Sequence, residues 1–101
     1  MPFAKKYFKE VYDEYEKAFN FREKWINTKQ ECGKESLKQI LIYIIGTQTK
    51  LRRNAIARLF GYKSHSSIYI AINDIKELKK NNKRIERVTN KLLEEWENSE
   101  N

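Results

Sequence analysis

The chain from residue 60 to residue 72 reads Phe60-Gly61-Tyr62-Lys63-Ser64-His65-Ser66-Ser67-Ile68-Tyr69-Ile70-Ala71-Ile72. Gly61 can adopt the left-handed conformation that ends a helix, and Ser64 is a good N-cap for a helix that follows at once. A helix end, a short turn and a polar helix start that leads into an apolar stripe are typical of a helix-turn-helix. This stretch therefore predicts a short helix, a turn and a second helix over residues 64–80.

The first turn of this second helix is rich in short hydrogen-bonding side chains. His65, the only histidine of the chain, stands among Ser64, Ser66 and Ser67. In a helix-turn-helix this turn reaches base edges in the major groove of DNA, and Ile70 on the outward face offers an apolar contact to a thymine methyl group. These five side chains are the predicted base contacts. The alternative is that His65 is an ordinary surface residue and that the serines merely begin a helix.

The charge of the chain is strongly basic and uneven. Its 101 residues hold 21 Lys and Arg against 14 Asp and Glu, a formal net charge of +7. Residues 28–63 carry eight basic side chains against two acidic ones, whereas both flanking segments are nearly neutral. This excess just before the predicted second helix favours a polyanionic partner such as nucleic acid. A solvated lysine-rich face would show the same composition.

Part of this charge lies where a helix by itself would not favour it. Arg52 and Arg53 fall at the start of a predicted short helix, where positive charge opposes the helix dipole and so indicates an external anion. Outward-facing residues of the helix over residues 64–80 are expected to extend this anion-binding surface. We expect contacts to phosphates or to the minor groove from Lys50, Arg52, Arg53, Asn54, Tyr69 and Asn73.

Composition argues against an enzyme, a metal site and a membrane protein. One cysteine, Cys32, and one histidine exclude an intramolecular disulfide and a multi-cysteine zinc site. The two could form a nucleophile–base pair only if the fold brought them together, and no third orienting group is evident. No apolar run approaches the roughly 20 residues of a membrane span, and the first residues lack the apolar core of a signal peptide. We therefore expect a cytoplasmic, non-enzymatic single domain over residues 1–101, without a cofactor or small-molecule substrate.

Residues 4–26 are predicted to form one long amphipathic helix with an unusually aromatic stripe. Apolar residues recur every three or four positions. The stripe consists of Phe3, Tyr7, Val11, Tyr15, Ala18 and Phe19, with Phe8 and Tyr12 alongside. Such a stripe could form part of the core, a helix–helix interface that makes a homodimer, or a surface on which bases stack.

The helix that follows residues 4–26 in the chain is expected after Gly33, because Ser36-Leu37-Lys38-Gln39 matches a capping box. The apolar run Ile40–Ile45 ends at Gly46 and could equally be a buried strand. We interpret it as a helix buried on most sides, since no other segment offers a pairing strand. Residues 47–50 then read as a turn before a short helix whose apolar positions are Leu51, Ala55, Ile56, Leu59 and Phe60.

The last two helices are also predicted from the spacing of their apolar residues. Apolar spacing predicts a buried stripe in the helix over residues 64–80, and Asn81-Asn82 interrupts the pattern before a fifth helix. The first stripe is Ile68, Ala71, Ile72, Ile75 and Leu78, which leaves Ser66, Tyr69, Ile70 and Asn73 facing outward. The second is Ile85, Val88, Leu92, Leu93 and Trp96.

Residues 36–97 resemble the C-terminal DNA-binding domain of DnaA, the bacterial replication initiator, which belongs to the Trp-repressor-like group of helix-turn-helix folds. Members of that family open a long helix with Arg-Gln and end a short helix with Phe-Gly. They continue with Gly-Arg-Asp-His-Thr-Thr, an apolar residue and a helix that contains Ala. The corresponding residues here are Lys38-Gln39, Phe60-Gly61, Tyr62 to Ile68 and Ala71.

The resemblance implies an all-α protein of about five helices, in which a helix-turn-helix of the Trp-repressor and DnaA type follows the long amphipathic helix. It implies that His65, Ser66 and Ser67 face base edges and that Lys38 and Lys63 hold phosphates. It also places three residues where the basic arm of the family enters the minor groove, namely Lys29, Gln30 and Lys34.

The sequence departs from the family at positions that matter for DNA recognition. Ser64 stands where the family has a base-reading Asp, and Asn73-Asp74 where a basic pair is usual, so the DNA site of the family does not carry over. No Gly-x-x-x-x-Gly-Lys-[Ser/Thr] motif occurs, so the initiator's ATPase activity is not expected. We predict a stand-alone double-stranded DNA-binding relative that regulates replication or transcription. The alternative is a protein-interaction adaptor that acts through the aromatic N-terminal helix.

Overall fold

The computed structural model describes the backbone of residues 2–99 and the side chains of residues 11–99. This part of the chain forms five α-helices and no strand, which confirms the all-α prediction. The helices are α1 (Pro2–Trp25), α2 (Lys34–Gln48), α3 (Arg53–Leu59), α4 (Ser66–Asn81) and α5 (Lys83–Asn98). The predicted stripe residues Phe3, Tyr7 and Phe8 lie outside the described side chains.

Helix α2 is the centre of the molecule. Helices α4 and α5 pack on it and on each other, and α3 packs between α2 and α4. Nearly every apolar side chain of α2 is buried, so the run that could have been a strand is a helix covered on most sides. Its buried residues are Leu37, Ile40, Leu41, Ile42, Ile44 and Ile45.

Both predicted ends of α2 were wrong. The helix begins at Lys34 with Gly33 at the N-cap, at a positive φ of 87° that favours glycine, so Ser36 lies inside the helix and does not form a capping box. The helix also passes through Gly46 and ends at Gln48. A Cβ at Gly46 would lie 2.6 Å from Ile72 Cδ1 of α4. The glycine therefore serves close packing of α2 on α4 and does not end the helix.

Threonines close the C-terminal end of α2 instead. The Thr47 hydroxyl donates to the carbonyl of Tyr43 at 2.8 Å, and the Thr49 hydroxyl donates to that of Ile45 at 2.6 Å. The Ile45 carbonyl also accepts the backbone N–H of Thr49 at 3.2 Å, so the threonine hydroxyl is a second donor to a carbonyl of the last turn. The segment between α2 and α3 covers residues 49–52 and therefore lies two residues later than the predicted turn over residues 47–50.

Helix α1 contributes one face to the core. Ala18 and Phe21 are buried, and the Phe21 ring meets the Trp96 ring edge-on with centroids 5.0 Å apart. Phe19, predicted to lie in this stripe, is 45% exposed, and Tyr12 is 67% exposed. The prediction for Phe19 was wrong because the buried stripe runs through residues 18, 21 and 25, spaced at one helical turn.

Helices α4 and α5 largely follow their predicted stripes. Ile68, Ala71 and Ile75 of α4 are buried, whereas Leu78 in its last turn stays 40% exposed against expectation. Ile85, Val88, Leu92 and Trp96 of α5 are buried, and Leu93 is half-buried. None of the helices within residues 2–99 has the combination of length and apolar character that a membrane span requires.

Candidate nucleic-acid interface

The turn between α3 and α4 is closed by backbone hydrogen bonds. Gly61 adopts the predicted left-handed conformation with φ of 74°. The N–H of Tyr62 donates to the carbonyl of Ala57 at 2.9 Å, and the N–H of Gly61 donates to that of Arg58 at 3.3 Å. The two bonds satisfy carbonyls at the end of α3 and fix the direction in which the chain leaves it.

The start of α4 is organised by its serines. Ser64 Oγ accepts the N–H of Ser66 at 3.1 Å and lies 2.9 Å from the Ser66 hydroxyl. The regular helix begins at Ser66, two residues later than predicted, and His65 occupies the N-cap position without a side-chain capping bond. The side chains of Ser64, His65 and Ser66 are exposed, whereas Ser67 is half-buried. The first turn therefore presents a hydroxyl pair and an imidazole to solvent.

The outward face of α4 continues from this turn. Tyr69 is 53% exposed and Ile70 is 58% exposed. Asn73 is exposed one turn further along, as the spacing of the helix predicts. The neighbouring Asp74 accepts a hydrogen bond from the Gln39 amide of α2 at 3.4 Å. The predicted side chains on this face thus form one continuous surface of mixed polar and apolar character.

Two predicted phosphate contacts from other helices reach the turn and α4. Lys38 of α2 holds its Nζ 4.3 Å from the centre of the Tyr62 ring in the turn. Arg53, the first residue of α3, holds its guanidinium carbon 4.6 Å from the centre of the Tyr69 ring. Both contacts have cation–π geometry, which fixes the position of a cation without neutralising its charge.

Arg53 is the more constrained of these two cations. Its Nε is buried and has no hydrogen-bond acceptor among the described residues. The three ion pairs within residues 11–99 also leave Arg53 out. A half-buried guanidinium without a carboxylate partner is a favourable site for an external anion.

Lys50, Arg52 and Asn54 lie toward α1 rather than against Tyr69. They line a shallow cleft of about 410 Å³ together with Val11 and Arg58. The backbone N–H of Lys50 donates to the Glu14 carboxylate of α1 at 2.7 Å. Arg58 was absent from the predicted contacts, although the basic charge of residues 28–63 included it.

The segment that the resemblance assigned to the minor groove packs against α5. Gln30 Oε1 accepts a hydrogen bond from Lys91 Nζ at 3.1 Å, and its amide donates to Thr28 Oγ1 at 2.9 Å. Lys29 and Gln30 line a cleft with Arg87 and Lys91. Lys34 is exposed at the first position of α2. These contacts tie Lys29 and Gln30 to α5 and do not join them to the α4 surface.

Arg87 and Lys91 were missed by the sequence reasoning. Their half of α5 is basic, but the nearly neutral charge of residues 64–101 as a whole concealed it. Arg87 is paired with Glu31 at 2.8 Å, and Lys91 Nζ lies 5.7 Å from the centre of the Trp25 ring. Only placement in three dimensions brings these cations to the segment around Lys29.

Cys32 has the properties of a packing residue. Its Sγ lies 3.5 Å from the carbonyl of Gly33 and donates to it. Burial raises the pKa of the Cys32 thiol, and the nearby Glu31 carboxylate raises that pKa further. This shift is opposite to the one that activates a nucleophilic thiol. Within the part of the chain that the structure describes, no group of three His, Cys, Asp or Glu residues is placed to hold a metal ion.

Comparison with known proteins adds no relative, since no family model matches the chain and neither a curated protein nor a solved structure shows significant similarity to it.

Proposed function

We propose that this protein is a non-enzymatic module that binds double-stranded DNA, with α3, the turn and α4 acting as a helix-turn-helix. One observation carries the proposal. The exposed polar first turn of α4 is flanked by two fixed cations, Lys38 and Arg53, that come from two different helices. The resemblance of residues 36–97 to the DNA-binding domain of DnaA supports the same conclusion.

The proposed contacts divide into those that position the protein and those that specify a sequence. Lys38, Lys63 and Arg53 bind phosphates and supply most of the affinity. The hydroxyls of Ser64 and Ser66 either donate or accept, so they tolerate several bases. His65 can donate to a guanine acceptor and is the main source of selectivity in this turn. We propose that this DNA binding serves the regulation of replication or transcription.

Substitution of His65 tests the base-reading part of the proposal. Duplexes enriched from a random pool by the wild-type protein would be compared with unselected duplexes at one salt concentration. We expect His65→Ala to weaken binding to the enriched site by about 5- to 150-fold, the effect of one good base contact of about 1–3 kcal/mol. Binding to unselected DNA should change little.

The matched control is Asn90→Ala, which alters an exposed polar residue of α5. It should leave both affinities unchanged. Equal losses on enriched and unselected DNA with His65→Ala would show that His65 adds affinity without selectivity, which contradicts the proposed role.

A second candidate function is a protein-interaction adaptor that acts through α1. Tyr12 and Phe19 are two of the five large apolar side chains exposed within residues 11–99, and both lie on the face of α1 directed away from the core. A second copy of the chain is the simplest partner for this face. A homodimer is also compatible with DNA binding, because two recognition helices one turn of DNA apart read a palindrome.

A further inference from the structure

The outward face of α4 carries an exposed apolar pair that hydrogen bonding to bases does not use. Tyr69 and Ile70 are adjacent in the chain, and each exposes more than half of its side chain. Ser66, one turn earlier, and Asn73, one turn later, are polar and exposed. Contiguous exposed apolar surface with a polar rim is a feature of interaction sites.

The pair is held in place before any partner binds. Tyr69 is covered on one side by the Arg53 guanidinium, whose carbon lies 4.6 Å from the centre of the ring, and the Arg53 Nε is buried beneath this contact. The backbone of Ile70 lies within a regular helix, where a β-branched side chain has one strongly preferred rotamer. Little conformational entropy is therefore lost when this surface is covered, which favours binding.

The major groove of DNA offers one apolar group to such a surface. Edges of guanine, cytosine and adenine present only hydrogen-bond donors and acceptors there, whereas thymine also presents its 5-methyl group. Resting on the proposed function, we infer that Tyr69 and Ile70 bind thymine 5-methyl groups. The preferred DNA therefore contains A·T pairs at positions that face the middle of α4, beyond those contacted by His65. Arg53 acts as the positioning residue for Tyr69.

Replacement of thymine by deoxyuridine tests this inference directly, because it deletes the 5-methyl group and retains the base-pairing hydrogen bonds. Each thymine of the enriched duplex would be replaced in turn, and the dissociation constant would be measured by fluorescence anisotropy. We expect one or two positions at which the replacement weakens binding about fourfold, the effect of burying one methyl group.

Repeating the uracil replacements with protein variants shows which residues contact the methyl groups. Ile70→Ala should weaken binding to the thymine duplex and abolish the difference between thymine and uracil at one of those positions. The matched control is Leu78→Ala, which shortens another exposed apolar side chain of α4. It should retain the full difference. Because Ile70 is exposed, its truncation leaves the core of the protein intact.

The contradicting outcomes are distinct. Tight binding to an enriched duplex that is indifferent to every uracil replacement, or an enriched site without A·T pairs, would overturn the inference and leave the proposed function standing. Uracil sensitivity that persists in both Ile70→Ala and Tyr69→Ala would assign the methyl groups to other residues and would also overturn it. Absence of duplex binding by the wild-type protein would overturn the inference and the proposed function together.

Discussion

At the scale of single residues, Asn82 shows how one residue ends one helix and begins the next. Its extended backbone stops α4 at Asn81, and its Oδ1 accepts the N–H groups of Arg84 at 3.1 Å and Ile85 at 3.2 Å. These are two of the four donors that the start of α5 would otherwise leave unsatisfied. The cap therefore stabilises the start of α5 directly after the end of α4.

Removal of the cap gives a stability prediction. We expect Asn82→Ala to lower the free energy of unfolding by about 0.5–2 kcal/mol, the usual effect of losing an N-cap. Asn82→Asp should retain most of the stability because aspartate caps equally well. Urea denaturation followed by circular dichroism would measure both.

Asn81→Ala is the matched control for this experiment. Asn81 is also exposed but lies within the last turn of α4, so its replacement should change stability by less than about 0.5 kcal/mol. Similar losses for Asn81→Ala and Asn82→Ala would contradict the assignment of the cap to Asn82.

At the scale of helices, the packing of α2 on α4 depends on the pair Gly46 and Ile72. An added Cβ at Gly46 would meet Ile72 Cδ1 at 2.6 Å and Cγ1 at 3.4 Å. Both atoms belong to a half-buried side chain, and the next neighbour, Ile56 Cδ1, is at 3.9 Å. The two helices therefore approach so closely here that any side chain at position 46 would displace Ile72.

This pair predicts a non-additive effect on stability. Gly46→Ala improves helix propensity but forces Ile72 to move, so we expect the net free energy of unfolding to fall by about 1 kcal/mol, at the lower end of overpacking costs. In an Ile72→Val background the clashing Cδ1 is absent, and Gly46→Ala should then stabilise by up to about 1 kcal/mol.

A double-mutant cycle of the two substitutions would measure the coupling by chemical denaturation. Additive effects of Gly46→Ala and Ile72→Val would contradict the close approach described for the two helices. Stabilisation by Gly46→Ala in both backgrounds would do the same.

Most of the helices could be predicted from the sequence because they carry strong local signals. The apolar stripes of α4 and α5 and the break at Asn81-Asn82 depend on periodicity and on residues that end helices. Gly61 was predicted for its left-handed conformation, and this too is a local property. These predictions were confirmed, apart from the exposure of Leu78 and the partial burial of Ile72 and Leu93.

The predictions for Gly46, Ser36 and Phe19 failed because each considered one residue without its neighbours. In each case a tertiary neighbour or a competing residue decides the outcome. Gly46 is needed for contact with Ile72, Gly33 takes the cap that Ser36 was expected to provide, and Phe21 fills the core in place of Phe19. The contacts of Gly46 and the burial of Phe21 are tertiary and cannot be read from a local pattern, whereas the competition between Gly33 and Ser36 is local.

The candidate site was predictable where it depends on local helical spacing and not where it depends on tertiary contacts. The exposed positions of α4 follow from helical spacing, so Ser66, Tyr69, Ile70 and Asn73 were located correctly. The pairing of Arg53 with Tyr69 and the position of Lys29 beside α5 join residues distant in the chain, and only the fold brings them together.

At the scale of the whole molecule, α1 has two different faces. One face carries Ala18 and Phe21 into the core, so removal of this helix would expose the core. The other exposes Tyr12 and Phe19, with the acidic side chains of Asp13 and Glu16 exposed beside them. Association of two copies through this second face would bring like charges together.

The oligomeric state is therefore expected to depend on salt. The chain has a mass of 12.2 kDa, and light scattering should show a larger dimeric fraction as salt rises, because screening weakens the repulsion between acidic side chains. The double variant Tyr12→Ser and Phe19→Ser should remain monomeric, whereas Leu78→Ser should behave as the wild type. A wild-type monomer at every salt concentration would exclude the homodimer.

The charge of the molecule gives the most direct test of DNA binding. Fluorescence anisotropy would follow a labelled random duplex titrated with the wild-type protein and with variants across a series of salt concentrations. We expect affinity to fall steeply with salt, and Lys38→Gln and Arg53→Gln each to reduce the slope of log affinity against log salt by about one. Lys17→Gln, which alters a lysine packed on Trp96, should leave the slope unchanged.

These results would establish the surface formed by α4, the turn and their two flanking cations as the DNA-binding site. Absence of binding by the wild-type protein at about 50 mM salt, where charge-driven binding is strong, would contradict the account.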